Sequence, residues 1–294
     1  MNPLPIPTVA ELKALFAEAG VRPNRRLGQN FLIDPDPMRF VADAAGLGER
    51  DVVLEPGPGT GGLTALLAAR AAAVVAVELD RKLHDLAACR LAPLPNVRLL
   101  HGGILGRDDA LAPPAVEAVR AALARLPAPR FKVVSNLPYG PSTAFIAAAL
   151  TGAPQPAEMV VMVQREVAAR LGAAPGSPDY GYLSVIVQLL ARVETLRRVG
   201  PGAFWPQPEV DSAVVRITPR PDAPGPADTA RMATLAGGLF RHRRKQLLSG
   251  LVTSGLLPTR QAATEALARA ELPSAARPEA LSPADFLRLA AAIA

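Results

Sequence analysis

Two clusters in this 294-residue chain have residue types and spacing that could do chemistry. The first, Leu54-Glu55-Pro56-Gly57-Pro58-Gly59-Thr60-Gly61, is a glycine-rich turn between an apolar run and a helical pattern, and Glu78 follows about 20 residues later. Glycines let the backbone pass close to a nucleotide-like ligand, and the start of the following helix favours a carboxylate or phosphate. An acid at that distance can hold ribose hydroxyls. This pairing does not separate NAD or FAD from S-adenosylmethionine, and the same glycines could serve only to pack a helix tightly. The second cluster is Asn136-Leu137-Pro138-Tyr139, directly after the apolar run Phe131 to Ser135. The exocyclic amine of a base is a poor nucleophile because its lone pair is delocalised into the ring. An Asn side-chain oxygen and a nearby backbone carbonyl can accept its two hydrogens, draw the nitrogen toward tetrahedral geometry and aim the lone pair at an electrophilic methyl. Tyr139 offers a flat surface for a flipped base, and Pro138 stiffens the turn. Taken alone, the tetrapeptide reads more readily as an ordinary polar turn.

Both clusters need a frame that sets them at neighbouring strand ends. Short apolar runs at Asp51 to Glu55, Ala73 to Glu78, Asn96 to Leu100, Phe131 to Ser135 and Glu158 to Val163 alternate with helical patterns such as Gly62 to Arg70. That alternation predicts an α/β fold, a mostly parallel sheet covered by helices on both faces. A helix over Tyr182 to Ala191 and strands over Arg192 to Val199 and Ser212 to Thr218 predict an antiparallel edge. The Pro-, Gly- and Asp-bearing loop from Pro219 to Asp228 then leads into a helical tail with breaks at Pro258, Pro273, Pro278 and Pro283. The expected organisation is an N-terminal arm plus sheet domain over residues 1–220 and a small all-helical domain over 221–294. The stretch Asp108 to Pro129 reads as an Ala-rich insertion punctuated by Pro.

Charge and cysteine content narrow the partners. The net charge is +6, and ten Lys/Arg against four Asp/Glu between Arg197 and Arg260 account for all of it. A concentrated basic stretch suits a polyanion. One cysteine, Cys89, and three scattered histidines, His84, His101 and His242, allow neither a disulfide framework nor a zinc site, so no metal and a reducing cytoplasm are expected. Arg70 interrupts the longest apolar run, which predicts no membrane span, and the first residues lack a charged region before an apolar stretch.

Beyond these separate signals, the chain resembles the KsgA/RsmA-like small-subunit ribosomal RNA adenine N6-dimethyltransferases over nearly its whole length. The resemblance runs through Arg26-Leu27-Gly28-Gln29-Asn30-Phe31-Leu32, the glycine turn, Glu78-Leu79-Asp80, Asn136 to Tyr139, Gln164-Arg165-Glu166-Val167, Tyr180 to Val185, Phe204 to Arg216 and Arg243-Arg244-Lys245. It implies a Rossmann-like S-adenosylmethionine-dependent methyltransferase sheet with a small helical C-terminal domain that binds RNA. It implies dimethylation of two adjacent adenosines in a hairpin near the 3′ end of 16S rRNA, within an immature 30S subunit, by a monomeric enzyme of small-subunit biogenesis. Asn30 and Leu32 would then border the cofactor, Gly57 its methionine end and Glu78 its ribose, while Asn136 would touch both cofactor and target amine. Phe204 would be the second aromatic, sandwiching the adenine against Tyr139 with roughly 1–3 kcal/mol of stacking.

Two positions depart from the family pattern. Gly103 stands where an acid usually binds the cofactor adenine, so either affinity falls or Asp108 or Asp109 reaches in from the insertion. Gly140-Pro141 also replaces the usual residues after the tyrosine. Basic clusters at Arg22, Arg25 and Arg26 and at Arg241, Arg243, Arg244 and Lys245 would contact RNA phosphates, although a charge run is often only a solvated face. Two other readings follow: a catalytically weakened ribosome-assembly factor, motivated by Gly103, and a large-subunit rRNA adenine methyltransferase.

Overall fold

The computed structural model describes residues 6–24 and 28–293. Arg25 and Arg26 lie outside the described residues. The chain divides into two compact units. The first is Met1–Ala168 with Glu194–Thr218, and the second is Ala169–Val193 with Pro219–Ala294.

In the first unit a helix α1 (Val9–Glu18), a two-residue strand β1 (Phe31–Leu32) and α2 (Pro35–Ala44) precede the alternating core. That core runs β2 (Asp51–Pro56), α3 (Gly62–Ala68), β3 (Ala73–Glu78), α4 (Arg81–Leu91), β4 (Val97–His101), α5 (Pro113–Leu123), β5 (Arg130–Asn136), α6 (Ser142–Thr151) and β6 (Glu158–Gln164). After α7 (Arg165–Leu171) and α8 (Tyr182–Leu190) come β7 (Ala191–Val199), β8 (Phe204–Trp205) and β9 (Ser212–Pro219). Among the described residues the main sheet has seven strands in the order β4-β3-β2-β5-β6-β9-β7. The first five are parallel, and β9 is antiparallel to β6.

All six residues of β2 are buried, which is why Val52, Val53 and Leu54 follow one another without polar alternation. Register at the far end of β2 is pinned by a charge-assisted fork: the Arg130 guanidinium donates to the two oxygens of the buried Asp51 carboxylate at 2.7 and 2.8 Å. At the carboxyl end the strand tips open toward loops, the place where open α/β sheets bind ligands. Separately, β1 pairs antiparallel with β8, setting Phe31 opposite Trp205 and Leu32 opposite Phe204.

The mostly parallel sheet with an antiparallel edge is as the sequence predicts, with two corrections. The expected Ala-rich insertion is a crossover helix: α5 joins β4 to β5, buries Ala115, Ala118 and Val119, and packs on β2 and β3. Its two prolines sit in the first turn, where the missing N–H costs nothing, and do not break the helix. The second unit resumes at Pro219 and also takes in Ala169–Val193, a segment that lies before the boundary expected near residue 220.

In the second unit α8 joins α9 (Pro226–Arg241), α10 (Leu247–Thr253), α11 (Arg260–Arg269) and α12 (Pro283–Ile293). Leu183, Val185, Ile186, Val187 and Leu190 of α8 are buried, and the helix packs on α9 and α12. Phe240 stacks on Phe286 at 5.7 Å, and the buried Tyr180 donates its hydroxyl to the Leu281 carbonyl at 2.7 Å. No helix among the described residues is long and apolar enough to cross a membrane.

Candidate active site

Within the first unit the carboxyl ends of β2, β3, β4 and β5 surround a cavity of about 440 Å³, inside the roughly 300–1,000 Å³ range of small-molecule sites. The glycine turn forms one wall. Gly57 has φ +67°, and a Cβ there would lie 2.9 Å from Cγ of Pro138, so only glycine permits both the backbone and the proline that leans on it. Ser135 at the end of β5 donates its hydroxyl to the Pro56 carbonyl at 2.6 Å. These two contacts join the sequence clusters into one constellation.

Glu78, at the end of β3, is 6 % exposed. Its oxygens accept from the backbone N–H groups of Gly59 at 3.2 Å and Asp80 at 2.9 Å. Burial pushes its carboxyl above the usual range, and those backbone donors offset part of the rise. Glu55 is more extreme, because burial pushes it up to about 8, with the Thr64 hydroxyl countering and Glu78 adding a little. Its Oε2 is buried and makes no hydrogen bond, and the residue lines the cavity. No task attaches to Glu55 from the sequence pattern alone; its signal there is an acid two residues before Gly57, the first glycine of the turn.

Asn136 closes β5 beside these carboxylates, and its Oδ1 is also buried without a hydrogen-bond partner. Buried polar atoms are normally paired, and orphaned acceptors facing a cavity of this size fit a ligand's donors. Tyr139 is held on three sides. Its hydroxyl lies 3.0 Å from Ser212 Oγ, its carbonyl accepts from the Ser142 hydroxyl at 3.1 Å, and Gly28, at φ +64°, lets the backbone pass so close that a Cβ would sit 3.2 Å from Tyr139 Cβ. Burial raises the Tyr139 phenol, which keeps it neutral. Gly140-Pro141 leads straight into α6, with Phe145 N–H donating to the Pro141 carbonyl at 2.8 Å.

The segment of β1 covers another side. Asn30 and Leu32 line the cavity, as does Phe31, whose ring packs edge-on against Phe16 of α1 at 4.8 Å. The cavity therefore gathers Asn30, Leu32, Gly57, Glu78, Gly103, Asn136, Pro138 and Tyr139. It does not gather Phe204, which is 2 % exposed and packs in the core with Leu63, Val134 and Val214. Pairing with Leu32 in the β1–β8 ribbon holds Phe204 there. Asp108 and Asp109 are exposed and do not line the cavity, so neither supplies the acid that Gly103 lacks.

Outside the cavity, Arg22 is exposed in the first unit, and Arg241, Arg244 and Lys245 are exposed in the second. Lys245 reaches the Thr253 hydroxyl at 3.1 Å. Arg243 is engaged internally, paired with Glu279 at 2.7 Å and donating to the Pro178 carbonyl at 3.1 Å. His84 and His101 meet edge to face at 5.4 Å, and Cys89 is exposed. No cluster among the described residues could hold a metal ion.

A family model described as ribosomal RNA adenine dimethylase matches residues 20–294. The ribosomal RNA small subunit methyltransferase A of Pelotomaculum thermopropionicum is 42% identical over 286 residues, covering 96% of this chain and 95% of its own. That of Rubrobacter xylanophilus is 43% identical over 270 residues, covering 91% and 94%. Among solved structures, a dimethyladenosine transferase from Plasmodium falciparum superposes with a TM-score of 0.64 at 22% identity, over 87% of this chain and 94% of its own. The 23S rRNA methyltransferase ErmE gives 0.56 at 27%, over 90% and 99%.

Proposed function

Because the chain belongs to the ribosomal RNA adenine dimethylase family, we propose that its cavity transfers methyl groups from S-adenosylmethionine to the N6 amines of two adjacent adenosines in a 3′-terminal hairpin of 16S rRNA. The single observation that carries this reading is the buried, unpartnered Oδ1 of Asn136 lining the cavity beside the braced ring of Tyr139.

The residues fit the cofactor. Glu78, already oriented by two backbone donors, has lone pairs left for ribose hydroxyls. Glu55 Oε2 is a buried acceptor able to take up the ammonium of an amino-acid moiety, and Gly57 lines the same cavity. When bound, S-adenosylmethionine supplies an electrophilic methyl on a sulfonium. The chain then has to present the amine. Asn136 Oδ1 accepts one N6 hydrogen, which localises the nitrogen lone pair and turns it toward the methyl. Tyr139 stacks on the extruded base and fixes its plane. The methylated amine is a strong acid while it keeps its extra proton, so it loses that proton to water without a dedicated base.

RNA affinity is assigned to Arg22, Arg25, Arg26, Arg241, Arg244 and Lys245 through phosphate contacts, with the helical unit as the RNA-binding domain. Arg243 is better placed as a brace inside that unit. The substrate is rRNA within an immature 30S subunit, the enzyme is a monomer that needs no metal, and it works in the cytoplasm.

Incubating the purified protein with labelled S-adenosylmethionine and unmethylated small subunits tests this. The expected product carries label on the N6 of two neighbouring adenosines. Label confined to large-subunit rRNA would move the substrate to that subunit. Tight subunit binding with no transfer and no cofactor binding would leave an assembly factor.

A further inference from the structure

We propose that Ser212 is a positioning residue for methyl transfer, its hydroxyl fixing the plane of the Tyr139 ring. The proposal rests on the reading of the cavity as an adenine methyltransferase site.

Ser212 is fully buried and opens β9. Its place is set by the antiparallel register with β6, in which it faces Gln164, and by the neighbouring bond from Arg165 N–H to the Asp211 carbonyl at 2.9 Å. Tyr139 hangs from a different strand, three residues past the end of β5. The 3.0 Å contact between the two hydroxyls therefore spans 73 residues of sequence and ties the aromatic turn to the antiparallel half of the sheet.

A stacking ring has two torsions, and a phenylalanine at this position would be restrained only near its backbone. The Ser142 hydroxyl on the Tyr139 carbonyl and the close approach of Gly28 fix that near end. The bond to Ser212 fixes the far end, so both torsions are set before a base arrives. Pre-setting them removes an ordering cost from the step in which the amine is aimed, and a small angular error at the ring becomes a misplaced lone pair at the nitrogen. Burial keeps the phenol neutral and the bond intact across the working pH range.

The test is a double-mutant cycle on the full chain. Transfer kinetics on unmethylated small subunits are measured for wild type, Ser212→Ala, Tyr139→Phe and the double variant, beside S-adenosylhomocysteine binding by calorimetry and thermal unfolding. Each single variant is expected to lose about three- to tenfold in kcat, the worth of one hydrogen bond, with KM for the subunit changed by no more than about twofold. Affinity for S-adenosylhomocysteine should stay at the wild-type value. Because both substitutions delete the same bond, the double variant should be no slower than either single one.

Multiplying losses in the double variant, or a folded Ser212→Ala enzyme with wild-type kcat, overturns the proposal. So does a lowered melting temperature with unchanged kinetics, which marks a brace and nothing more. If Ser212→Ala does not fold, Tyr139→Phe still breaks the bond from the other side while keeping the ring, and a wild-type kcat there is equally decisive. A wild-type protein that transfers no methyl group sinks the parent reading and this one with it, a result distinct from an active enzyme indifferent to Ser212.

Discussion

The two ends of the cavity are built on different terms. Where β2 and β5 end, the frame around the unpartnered oxygens of Glu55 and Asn136 is braced part against part: Ser135 on the Pro56 carbonyl, Pro138 against Gly57, Gly28 against Tyr139, and Tyr139 on Ser212. At the end of β4 the wall is Gly102, Gly103, Ile104 and Leu105, held by backbone bonds alone, from Gly102 N–H to the Glu78 carbonyl and from Ala112 N–H to the Ile104 carbonyl, both at 2.9 Å, with open space where a Gly102 side chain would project. The contrast teaches where geometric precision is needed. Aiming a lone pair at a methyl tolerates little displacement, whereas a planar base can be held by apolar walls and backbone groups.

The comparison is broken most directly at Asn136. Asn136→Ala is expected to cut kcat by about 10²–10³, the usual loss for one oriented polar group that acts on the reacting atoms, while weakening S-adenosylhomocysteine binding far less. Single-turnover transfer with excess enzyme reads the chemical step, and a wild-type rate there would remove Asn136 from the mechanism.

Glu55 is the next largest effect, and it acts on two observables. Glu55→Gln should weaken S-adenosylhomocysteine by about tenfold, because a carboxylate that can meet an ammonium is replaced by a neutral amide. The same variant should stabilise the ligand-free protein. The folded carboxyl is raised to about 8 from an ordinary 4.5, so the unfolded chain ionises first and native stability is lost as pH rises between those values. The gain from Gln should thus be absent near pH 4 and reach roughly 4 kcal/mol by pH 8. Melting temperatures of both proteins across that range check the sign, and a gain that shrinks with pH would refute the assignment.

Most of the frame was legible because local pattern suffices for it. The fully buried strands, the glycine turn, Glu78 and the Asn136 to Tyr139 turn all announce themselves within a few residues. What escaped depends on distant partners. Pro113 and Pro114 read as breaks until a helix begins at them, and the apolar face of α8 does not say which unit it will cover. The orphaned oxygen of Glu55 and the serine behind Tyr139 exist only once strands far apart in sequence are neighbours. Phe204 shows the reverse case, a residue whose type suits stacking and whose pairing with Leu32 buries it.

That burial marks an edge of the braced region and is itself testable. Phe204→Leu keeps an apolar side chain of smaller volume in the core, so it should cost about 1–1.5 kcal/mol in denaturant unfolding and leave kcat within about threefold. A large loss of kcat in a protein of unchanged stability would instead place the ring against the base.

The smallest effect is expected at the bare end. Gly103→Asp puts a carboxylate where the wall offers only backbone, and one new hydrogen bond to an adenine amine is worth about a three- to tenfold gain in affinity. Part of that is lost again, because the added Cβ would lie 3.2 Å from the Leu105 carbonyl oxygen and the loop has to yield by a few tenths of an ångström. The net expectation is a gain of about threefold for S-adenosylhomocysteine by calorimetry, with kcat unchanged, since nothing at the β5 end has moved. A matched titration with an analogue methylated at the adenine N6 sharpens the point: the wild-type wall should accept the extra methyl with little loss, and the Gly103→Asp wall should discriminate against it. If wild type already rejects the methylated analogue as strongly as the variant does, backbone groups at Gly102 to Leu105 read the amine as tightly as a carboxylate would, and the two ends of the cavity are built alike after all.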